Sequence, residues 1–592
     1  MESVRRIDRF IRFYLIPIGL TLWFGFLCWR LYVLHSGKVG PSKHNNIRYK
    51  QDIKAMRGVI YDRGGNPIAV NEAGWKIFLD PCADSKKPAK DKPPPDPVAT
   101  CKRIEHLTGR PFGDIWHDLV TTNITHYDDG RVRTNRYVVQ GVTWDPSAID
   151  LRTNKNLYVG NVGIDAVHRR FYPQGRRLVH ILGIATGPTP TGQGGGVEQR
   201  YDSKLRGADG FVAGERAGNG NEIRERRRST VEAINGSSVY LTIDQNIQRI
   251  AYDALQAAIE EWNADGGRVI VEKVDTGEIL AMVSLPDYEP ENWSKTSDLA
   301  KRNRTISDQY DPGSTMKAFT VASALNEGII TPDSTYDVGH GPWHYGSGKP
   351  LGDHVHGVID VRTIIAKSSN IGAAKVALDL GNKRFERYLR AFGFGSRTGI
   401  DLPGEAIGTL IPSEKWEMIR PTRIAIGQGI SVTPIQMVNA YATIANGGRR
   451  MRPYIMRKII AADGEEVQKT VPQVLDTPIS PKTAEQMREM LKGVVKPGGT
   501  ARRARVVGYE AAGKTGTAQI IKPGGGYYDH NHWASFIGFL PADAPEFAVL
   551  VLLDNPTKPG KSHDGGVSAA PVFAEIALAT AQYLEIPAMT EE

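Results

Sequence analysis

The longest apolar run of the chain lies close to its N-terminus. From Phe13 to Trp29 there are 17 consecutive residues without a charge, and the run reaches Leu34 if Arg30 extends its head toward a membrane surface. As a helix, residues 13–34 would be about 33 Å long, close to the roughly 30 Å of a bilayer's hydrocarbon core. Four arginines precede the run, and positive charge is retained on the cytoplasmic side. The pattern predicts a cytoplasmic tip at residues 1–12 and a single membrane anchor at 13–34.

A cleaved signal peptide is the alternative interpretation of this segment. It would need a shorter apolar run followed by a cleavage site of small residues. The residues after Leu34 read His-Ser-Gly-Lys-Val-Gly and contain no convincing site. We therefore expect a single-pass protein of the cytoplasmic (inner) membrane, with its N-terminus inside and the rest of the chain in the periplasm or another extracytoplasmic space.

Residues 35–235 alternate between short β-like runs and turn-forming residues. Runs at 58–61 and 137–139 are typical of strands, and 192–196 is nearly all glycine. This pattern predicts a β-rich domain. Cys82 and Cys101 have 18 residues between them. In an oxidising compartment they could form a disulfide, which we expect, with two unpaired thiols as the alternative.

From Gly236 onward the pattern changes to longer strands and helices. Residues 238–243 predict a strand, Asp244 fits a helix N-cap, and the apolar residues between Ile247 and Ile259 recur with helical spacing. Long helical patterns follow, for example at 434–446.

Two pairs of apolar runs predict hairpins at either end of this region. The runs at 269–271 and 279–283 are joined by Asp-Thr-Gly, and a second pair lies at 533–540 and 547–553. We predict a mixed α/β (α+β) domain at 236–585 whose two ends pair in one sheet, followed by a tail at 586–592.

Composition excludes several classes of protein. The 592 residues are 40% hydrophobic, which is enough for a sizeable core, and the net charge of +9 is a mild bias over this length. It lacks the dense basic stripe of a nucleic-acid binder, so we expect no nucleic-acid partner. Three cysteines exclude a disulfide scaffold, and no Cys-x-x-Cys pair suggests zinc.

The first chemical motif is Ser314-Thr-Met-Lys317. If Ser314 begins a helix, Lys317 lies one turn away on the same face. A serine hydroxyl needs a base to become a good nucleophile, and a lysine can act as that base only when it is neutral, a state that desolvation favours. Backbone N–H groups at a helix start could stabilise an oxyanion.

Two further motifs follow in the same region. Ser368-Ser369-Asn370 offers a hydroxyl for proton relay and an amide for a substrate carbonyl. Lys514-Thr515-Gly516-Thr517 offers a cation and hydroxyls for a substrate carboxylate, and the glycine would let a substrate backbone approach closely. Each motif alone is weak, but the three in this order are the set found in penicillin-binding proteins and class A β-lactamases.

The sequence resembles the class B penicillin-binding proteins over almost its whole length. Several further segments are similar to motifs of that family: Arg57 to Gly65, Arg170 to Pro173 with His180 and Gly183, Gly196 to Asp202 with Leu205 and Gly207, Leu241 to Asp244 with Gln248, Gly427 to Gly429, and Thr433-Pro434. The resemblance implies an elongated β-rich pedestal at 35–235 and a transpeptidase domain, related to β-lactamases, with an antiparallel sheet flanked by helices.

The resemblance also implies a peptidoglycan D,D-transpeptidase and a role for each motif residue. Ser314 would attack the penultimate D-alanine carbonyl of a stem peptide, and Lys317 would take its proton. Ser368 would relay a proton to the leaving amine, and Asn370 would hold the donor. Lys514, Thr515 and Thr517 would bind the terminal carboxylate, with Gly516 between them. The backbone N–H groups of Ser314 and Thr517 would form the oxyanion hole. β-Lactams would acylate the same serine, and no metal or organic cofactor is implied.

Other interpretations stay open. His354, His356, His530 and His532 could suggest a metal site, but their i, i+2 spacing favours loop histidines. A β-lactamase or a non-enzymatic division scaffold are weaker alternatives. Residues before 235 do not resemble a glycosyltransferase, so we expect a separate membrane glycosyltransferase to supply lipid II-derived glycan strands. Ser-Ser-Asn in place of Ser-x-Asp looks like the division-type enzymes and predicts other division proteins as partners, with an elongation or sporulation role as the alternative.

Overall fold

The chain forms two compact units. The computed structural model describes residues 16–35, 47–79, 96–120, 124–126, 132–134, 137–153, 162–186, 191–193, 195–216, 223, 226–346, 349–522 and 526–589. The smaller unit combines residues 1–55 with 208–234, and the larger one, here called the main unit, combines 56–207 with 235–592. The predicted cytoplasmic tip and Cys82 lie outside the described residues.

The described residues of the smaller unit form one helix and one sheet. The helix covers Ile16–His35 and ends one residue beyond the segment predicted as the anchor. In the described part of the chain, no helix combines the length and the apolar character that a membrane crossing requires. The sheet is antiparallel and has three strands, which are Ile47–Ile53, Gly210–Arg216 and Ser229–Val231.

The main unit begins with a mixed sheet that joins distant parts of the sequence. The strand Ser238–Leu241 pairs in parallel with Ile60–Tyr61 and antiparallel with Met456–Ile460. The strand Pro67–Leu79 continues the sheet. The remaining strands of this sheet are Val138–Thr143, Val162–Phe171 and Glu466–Lys469.

A buried ion network joins three of the N-terminal segments. The Glu198 side chain is fully buried and accepts hydrogen bonds from Arg57 Nε at 2.7 Å and Arg170 Nε at 2.6 Å. Arg57 also pairs with Asp202 at 2.7 Å. These charges come from three of the segments that resemble family motifs. Because they are buried, removing one charged partner would leave the others unpaired and would destabilise the fold.

The predicted Cys82–Cys101 disulfide is not formed in the structure. Cys101 is a free, fully buried thiol on the helix Pro97–Thr108, where it packs among Ile104, Leu107 and other apolar side chains. Burial raises the pKa of this thiol to about 11, so it acts as a small core residue here.

The catalytic region is built on a five-stranded antiparallel sheet, here called the catalytic sheet. Its order across the sheet is Ile279–Leu285, Gly266–Lys273, Phe547–Asp554, Tyr527–Leu540 and Ala512–Ile521. All residues of Phe547–Asp554 are buried, as expected for a central strand covered on both faces. The predicted hairpins and the pairing of the two ends of the domain are confirmed.

Helices cover the catalytic sheet. Gln245–Trp262 begins where predicted, because the Asp244 side chain accepts from the N–H groups of Asn246 and Ile247. Ala569–Tyr583 packs on the same sheet, and every residue of Pro434–Ala445 is buried. The other helices described are Phe112–Val120, Asp150–Thr153, Val179–Leu182, Gly196–Arg200, Asp202–Leu205, Asp298–Lys301, Arg304–Ser307, Lys317–Asn326, Val361–Ala366, Asn370–Leu380, Asn382–Ala391, Arg420–Ile424 and Pro481–Val495.

Four small two-stranded sheets complete the secondary structure of the main unit. They pair Ile124–His126 with Val132–Thr134, Ile184–Thr186 with Thr191–Gln193, Thr335–Asp337 with Val358–Asp360, and Arg450–Met451 with Val474–Asp476.

Candidate active site

Ser314 lies in a 3₁₀ turn, Gly313–Met316, here called the serine turn. The prediction that a helix begins at Ser314 is wrong by one turn, because the α-helix begins at Lys317. The backbone of the serine turn is fixed by two hydrogen bonds, from Thr315 Oγ1 to Pro312 O at 2.7 Å and from Tyr441 Oη to Thr315 O at 2.8 Å. Ser314 is half-buried while its neighbours in the turn are buried, so its hydroxyl is the group this turn presents.

Glycines allow the backbone to pack closely around the serine turn. Gly313 has a φ of +58°, and a Cβ added to Gly427 would lie 2.1 Å from Gly313 O. A Cβ on Gly516 would lie 2.4 Å from Ser535 Oγ and 3.0 Å from Pro312 O. The Cβ side of Gly516 is therefore occupied by Ser535, Pro312 and Thr315.

Lys317 is buried and fully bonded. Its Nζ donates to Ser368 O at 2.5 Å, to Ser368 Oγ at 3.0 Å and to Asn370 Oδ1 at 2.7 Å. Burial lowers the pKa of Lys317 to about 7, and the charge of Asp353 opposes this shift. A lysine of this kind has an appreciable neutral fraction at neutral pH, so it can accept a proton.

Lys514 approaches the same hydroxyl from the catalytic sheet. Its Nζ donates to Ser368 Oγ at 2.9 Å and to Thr515 Oγ1 at 3.2 Å. Burial, with the nearby charge of Lys317 as a second cause, holds the pKa of Lys514 well below its usual range. Two buried lysines thus share one serine hydroxyl, and repulsion disfavours the state in which both are charged.

The Ser368–Asn370 turn holds an unusual backbone conformation. Ser368 has a φ of +62°, in the left-handed region that a serine rarely adopts. Ser369 is fully buried and caps the helix Asn370–Leu380 by accepting from Gly372 N at 3.0 Å. Positive φ values outside glycine cluster at functional sites.

The strand Ala512–Ile521 lies at one edge of the catalytic sheet. Lys514 and Thr515 are opposite Ile537 and Phe536 in the register of this strand pair. Thr517 Oγ1 accepts from Gly565 N at 3.3 Å. An edge strand has unpaired N–H and C=O groups along its outer side, which suits it to an extended peptide.

Five of the predicted motif residues line one cleft of about 490 Å³, while Lys317 and Lys514 are buried beside it and bond to Ser368, and Gly516 is not part of the lining. Ser314, Ser368, Asn370, Thr515 and Thr517 line it. The lining also includes Gln428, from the Gly427–Gly429 segment that resembles a family motif, and residues that no motif indicated: His354, Lys367, Gln519, His532 and Asp564.

The four histidines occupy different settings. His354 is an exposed loop residue that lines the cleft, and His356 is exposed and stacks on His340. His530 and His532 lie in the strand Tyr527–Leu540 rather than in a loop. Within the described residues, no three potential metal ligands come together.

Asp353 is the residue of this site that the sequence reasoning missed. It accepts from Ser369 Oγ at 2.5 Å and from Ile371 N at 3.0 Å. It lies in no recognisable motif, and only its pairing with the Ser368–Asn370 turn in three dimensions shows its place.

Two family models match the chain. Residues 267–578 match the penicillin-binding protein transpeptidase domain, and residues 52–241 match the penicillin-binding protein dimerisation domain. Penicillin-binding protein PbpB of Mycolicibacterium smegmatis is 36% identical over 75% of this chain and 69% of its own length. Peptidoglycan D,D-transpeptidase FtsI of Escherichia coli is 29% identical over 95% of this chain and 89% of its own length.

A solved structure extends the similarity to the fold. Penicillin-binding protein 3 from Mycobacterium tuberculosis, crystallised with aztreonam, superposes with a TM-score of 0.67 at 27% identity. The match covers 91% of this chain and 98% of that one.

Proposed function

The chain belongs to the class B penicillin-binding proteins and is a serine-type peptidoglycan D,D-transpeptidase and β-lactam target, and on this basis we propose the role of each site residue. Ser314 is the nucleophile, and Lys317 accepts its proton. The observation that carries this assignment is the cleft in which Ser314 is accessible while buried Lys317 and Lys514 both bond to the Ser368 hydroxyl.

Acylation follows from these positions. Ser314 Oγ bonds to the penultimate D-alanine carbonyl carbon, and its proton passes to Lys317. The oxyanion is stabilised by the N–H groups of Ser314 and Thr517. Ser368 relays the proton to the leaving D-alanine amine as the peptide bond breaks. An acceptor amine from a second stem then attacks the ester, loses its proton to the same relay, and releases Ser314.

Substrate binding uses the other motif residues. Lys514, Thr515 and Thr517 hold the terminal carboxylate of the donor. Asn370 holds the donor's side chain or backbone beside them. Gly516 lets the strand Ala512–Ile521 lie close to the serine turn, since a Cβ at this position would lie 3.0 Å from both Pro312 O and Thr315 Cγ2.

The nucleophile is tested by intact mass of the full-length chain after incubation with benzylpenicillin. We expect a stable one-to-one adduct on the wild type and none on Ser314→Ala. Ser396→Ala, a serine that bonds to Gly393 O outside the cleft, should form the adduct normally. An adduct on Ser314→Ala would overturn the assignment, and fast drug hydrolysis without an adduct would indicate a β-lactamase.

We further propose that residues 13–34 anchor the chain in the cytoplasmic membrane. The N-terminus would lie inside, with residues 35–235 as a pedestal and 236–585 as the transpeptidase domain outside. The apolar run and the arginines before it support this proposal. Phosphatase fusions after residue 40 should be active outside the cytoplasm. Alkaline carbonate should fail to extract the chain from membranes, and extraction would contradict the anchor.

The cellular role that we propose is cross-linking of the septal wall at cell division. The Ser368-Ser369-Asn370 sequence supports it, since it looks like the division-type enzymes. Glycan strands would come from lipid II through a separate membrane glycosyltransferase, and other division proteins would bind this chain. Depletion should give filaments; rounded cells would favour elongation, and a defect confined to spores would favour a sporulation role.

A further inference from the structure

Asp353 and its neighbour Gly352 form hydrogen bonds with the Ser368–Asn370 turn and with Ile371 directly after it. Asp353 Oδ2 accepts from Ser369 Oγ at 2.5 Å and from Ile371 N at 3.0 Å. Gly352 O accepts from Asn370 Nδ2 at 2.9 Å. Three hydrogen bonds therefore join this loop to a turn that contributes Ser368 and Asn370 to the cleft.

These contacts fix the orientation of the groups that bond to Lys317. Because Asn370 Nδ2 donates to Gly352 O, its Oδ1 is the atom left to accept from Lys317. The left-handed Ser368 conformation, at φ +62°, is strained for a serine. A strained residue of this kind persists only where surrounding bonds hold it, and Asp353 provides two of them one to three residues away.

Asp353 contributes a negative charge to the surroundings of Lys317. Lys317 is bonded to neutral groups of Ser368 and Asn370, and Lys514 approaches from the catalytic sheet. The cleft lining adds four further titratable groups: Lys367, His354, His532 and Asp564. Among the carboxylates of described residues, Asp353 is the one whose charge raises the pKa of Lys317.

We propose that Asp353 is a positioning residue of acylation, which holds the Ser368–Asn370 turn against Lys317 and places a negative charge behind it. The inference rests on the proposed roles of Ser314 and Lys317. Without the carboxylate, Lys317 would lose its proton at lower pH, and the turn would hold Ser368 less firmly.

A purely structural role as a helix cap is the competing interpretation, and Asp360 provides its matched control. Asp360 caps the helix Val361–Ala366 by accepting from Thr363 N at 2.8 Å, the same kind of contact. It lies outside the cleft lining. Loss of either cap should lower stability by a similar amount, so only the acylation rate and its pH dependence separate the two residues.

The test is the second-order rate of benzylpenicillin acylation between pH 5.5 and 9 for the full-length chain. Asp353→Asn should lower the maximal rate roughly 10- to 100-fold and move the acidic limb to lower pH, since the charge that raises the pKa of Lys317 is lost. Asp353→Glu, which keeps the charge, should retain the wild-type pH midpoint. Asp360→Asn should leave both the rate and the midpoint unchanged.

A second variant keeps the test decisive if Asp353→Asn does not fold. Ser369→Ala removes one bond to Asp353 but leaves the carboxylate, so its rate should fall while its pH midpoint stays in place. An unchanged midpoint and rate in Asp353→Asn, or a midpoint shift of the same size in Asp360→Asn, would overturn the inference. Acylation of Ser314→Ala would instead refute the proposed function.

Discussion

Lys317 is the residue whose charge controls the proposed reaction. Burial lowers its pKa to about 7, and only the neutral amine can accept the Ser314 proton. The benzylpenicillin acylation rate should therefore rise with pH, about tenfold per unit below pH 7, and level off above it. Stopped-flow or quenched mass measurements would check the profile.

Lys317→Arg is the control for this profile. Its guanidinium stays protonated across this range, so acylation should be lost at every pH while thermal unfolding shows a folded chain. A wild-type rate that stays flat from pH 5.5 to 9 would exclude Lys317 as the base.

Glu272 provides a pH effect on stability that is separate from catalysis. Its carboxyl is fully buried in the catalytic sheet, and burial raises its pKa to about 8 although Asn439 donates to it at 2.7 Å. From about pH 4.5 to 8 the folded chain binds this proton and the unfolded chain does not, so this group's contribution to stability falls as pH rises.

Glu272→Gln removes the titrating carboxyl and with it this loss of stability at higher pH. Its free energy of unfolding should exceed that of the wild type at pH 8 by a few kcal/mol, at roughly 1.4 kcal/mol per unit of pKa shift. The gain should vanish near pH 4.5. Urea denaturation at both pH values measures it, with Glu466→Gln on an exposed strand as control. An equal effect at both pH values would contradict this explanation.

Single residues differed in how far sequence could reveal them. The catalytic motif residues lie in short local patterns, and the structure places Ser314, Ser368 and Asn370 in one cleft with Lys317 and Lys514 bonded to Ser368. Asp353 lies 15 residues before Ser368 without a motif, so only tertiary contact identifies it. Short motifs therefore identify the residues proposed to react, whereas a residue such as Asp353, which bonds to them from a neighbouring loop, is identified only once the fold is known.

At the scale of elements, the catalytic site depends on how closely one strand approaches one turn. Gly516→Ala would place a Cβ 3.0 Å from both Pro312 O and Thr315 Cγ2. Because backbone cannot move aside cheaply, the strand and the serine turn should separate slightly, and a shift near 1 Å can cost about 10²-fold in rate. Benzylpenicillin acylation kinetics would measure this loss.

Gly341→Ala is the matched control, since a Cβ there meets nothing within 4 Å. It should acylate at the wild-type rate. If Gly516→Ala also acylates normally, close approach at this point is not what positions Ser314.

Elements were predicted well wherever the apolar pattern was strong. The hairpin strands Gly266–Lys273 and Ile279–Leu285 and the Asp244-capped helix have clear periodicity and clear turn signals. The serine turn is a 3₁₀ turn that precedes the α-helix beginning at Lys317. It packs closely against Gly427, which lies far away in sequence, so the motif alone could not reveal this contact.

At the scale of the whole molecule, the Glu198 network should stabilise the main unit as a whole. Glu198→Gln would leave Arg57 and Arg170 buried without their shared carboxylate, and breaking such a pair costs roughly 3–5 kcal/mol. Denaturant unfolding should show the loss, while folded protein still reacts with benzylpenicillin.

Glu72→Gln provides the comparison. Its carboxylate pairs with Arg169 at 2.6 Å, but the two side chains are 36% and 38% exposed. Its loss should cost at most about 1 kcal/mol. Equal losses in the two variants would contradict a special contribution from the buried network.

The order of strands in the catalytic sheet also sets when the molecule can fold. Its middle strand, Phe547–Asp554, joins strands that lie at 266–273 and 527–540. Such distant pairing is slow to form. The sheet therefore stays incomplete until nearly the whole chain has been synthesised, and a truncation before residue 547 would remove its centre rather than its edge. Until the middle strand is made, its partner strands have unpaired edges that can pair with other chains. Aggregation is therefore most to be expected while the chain is still being synthesised and folded.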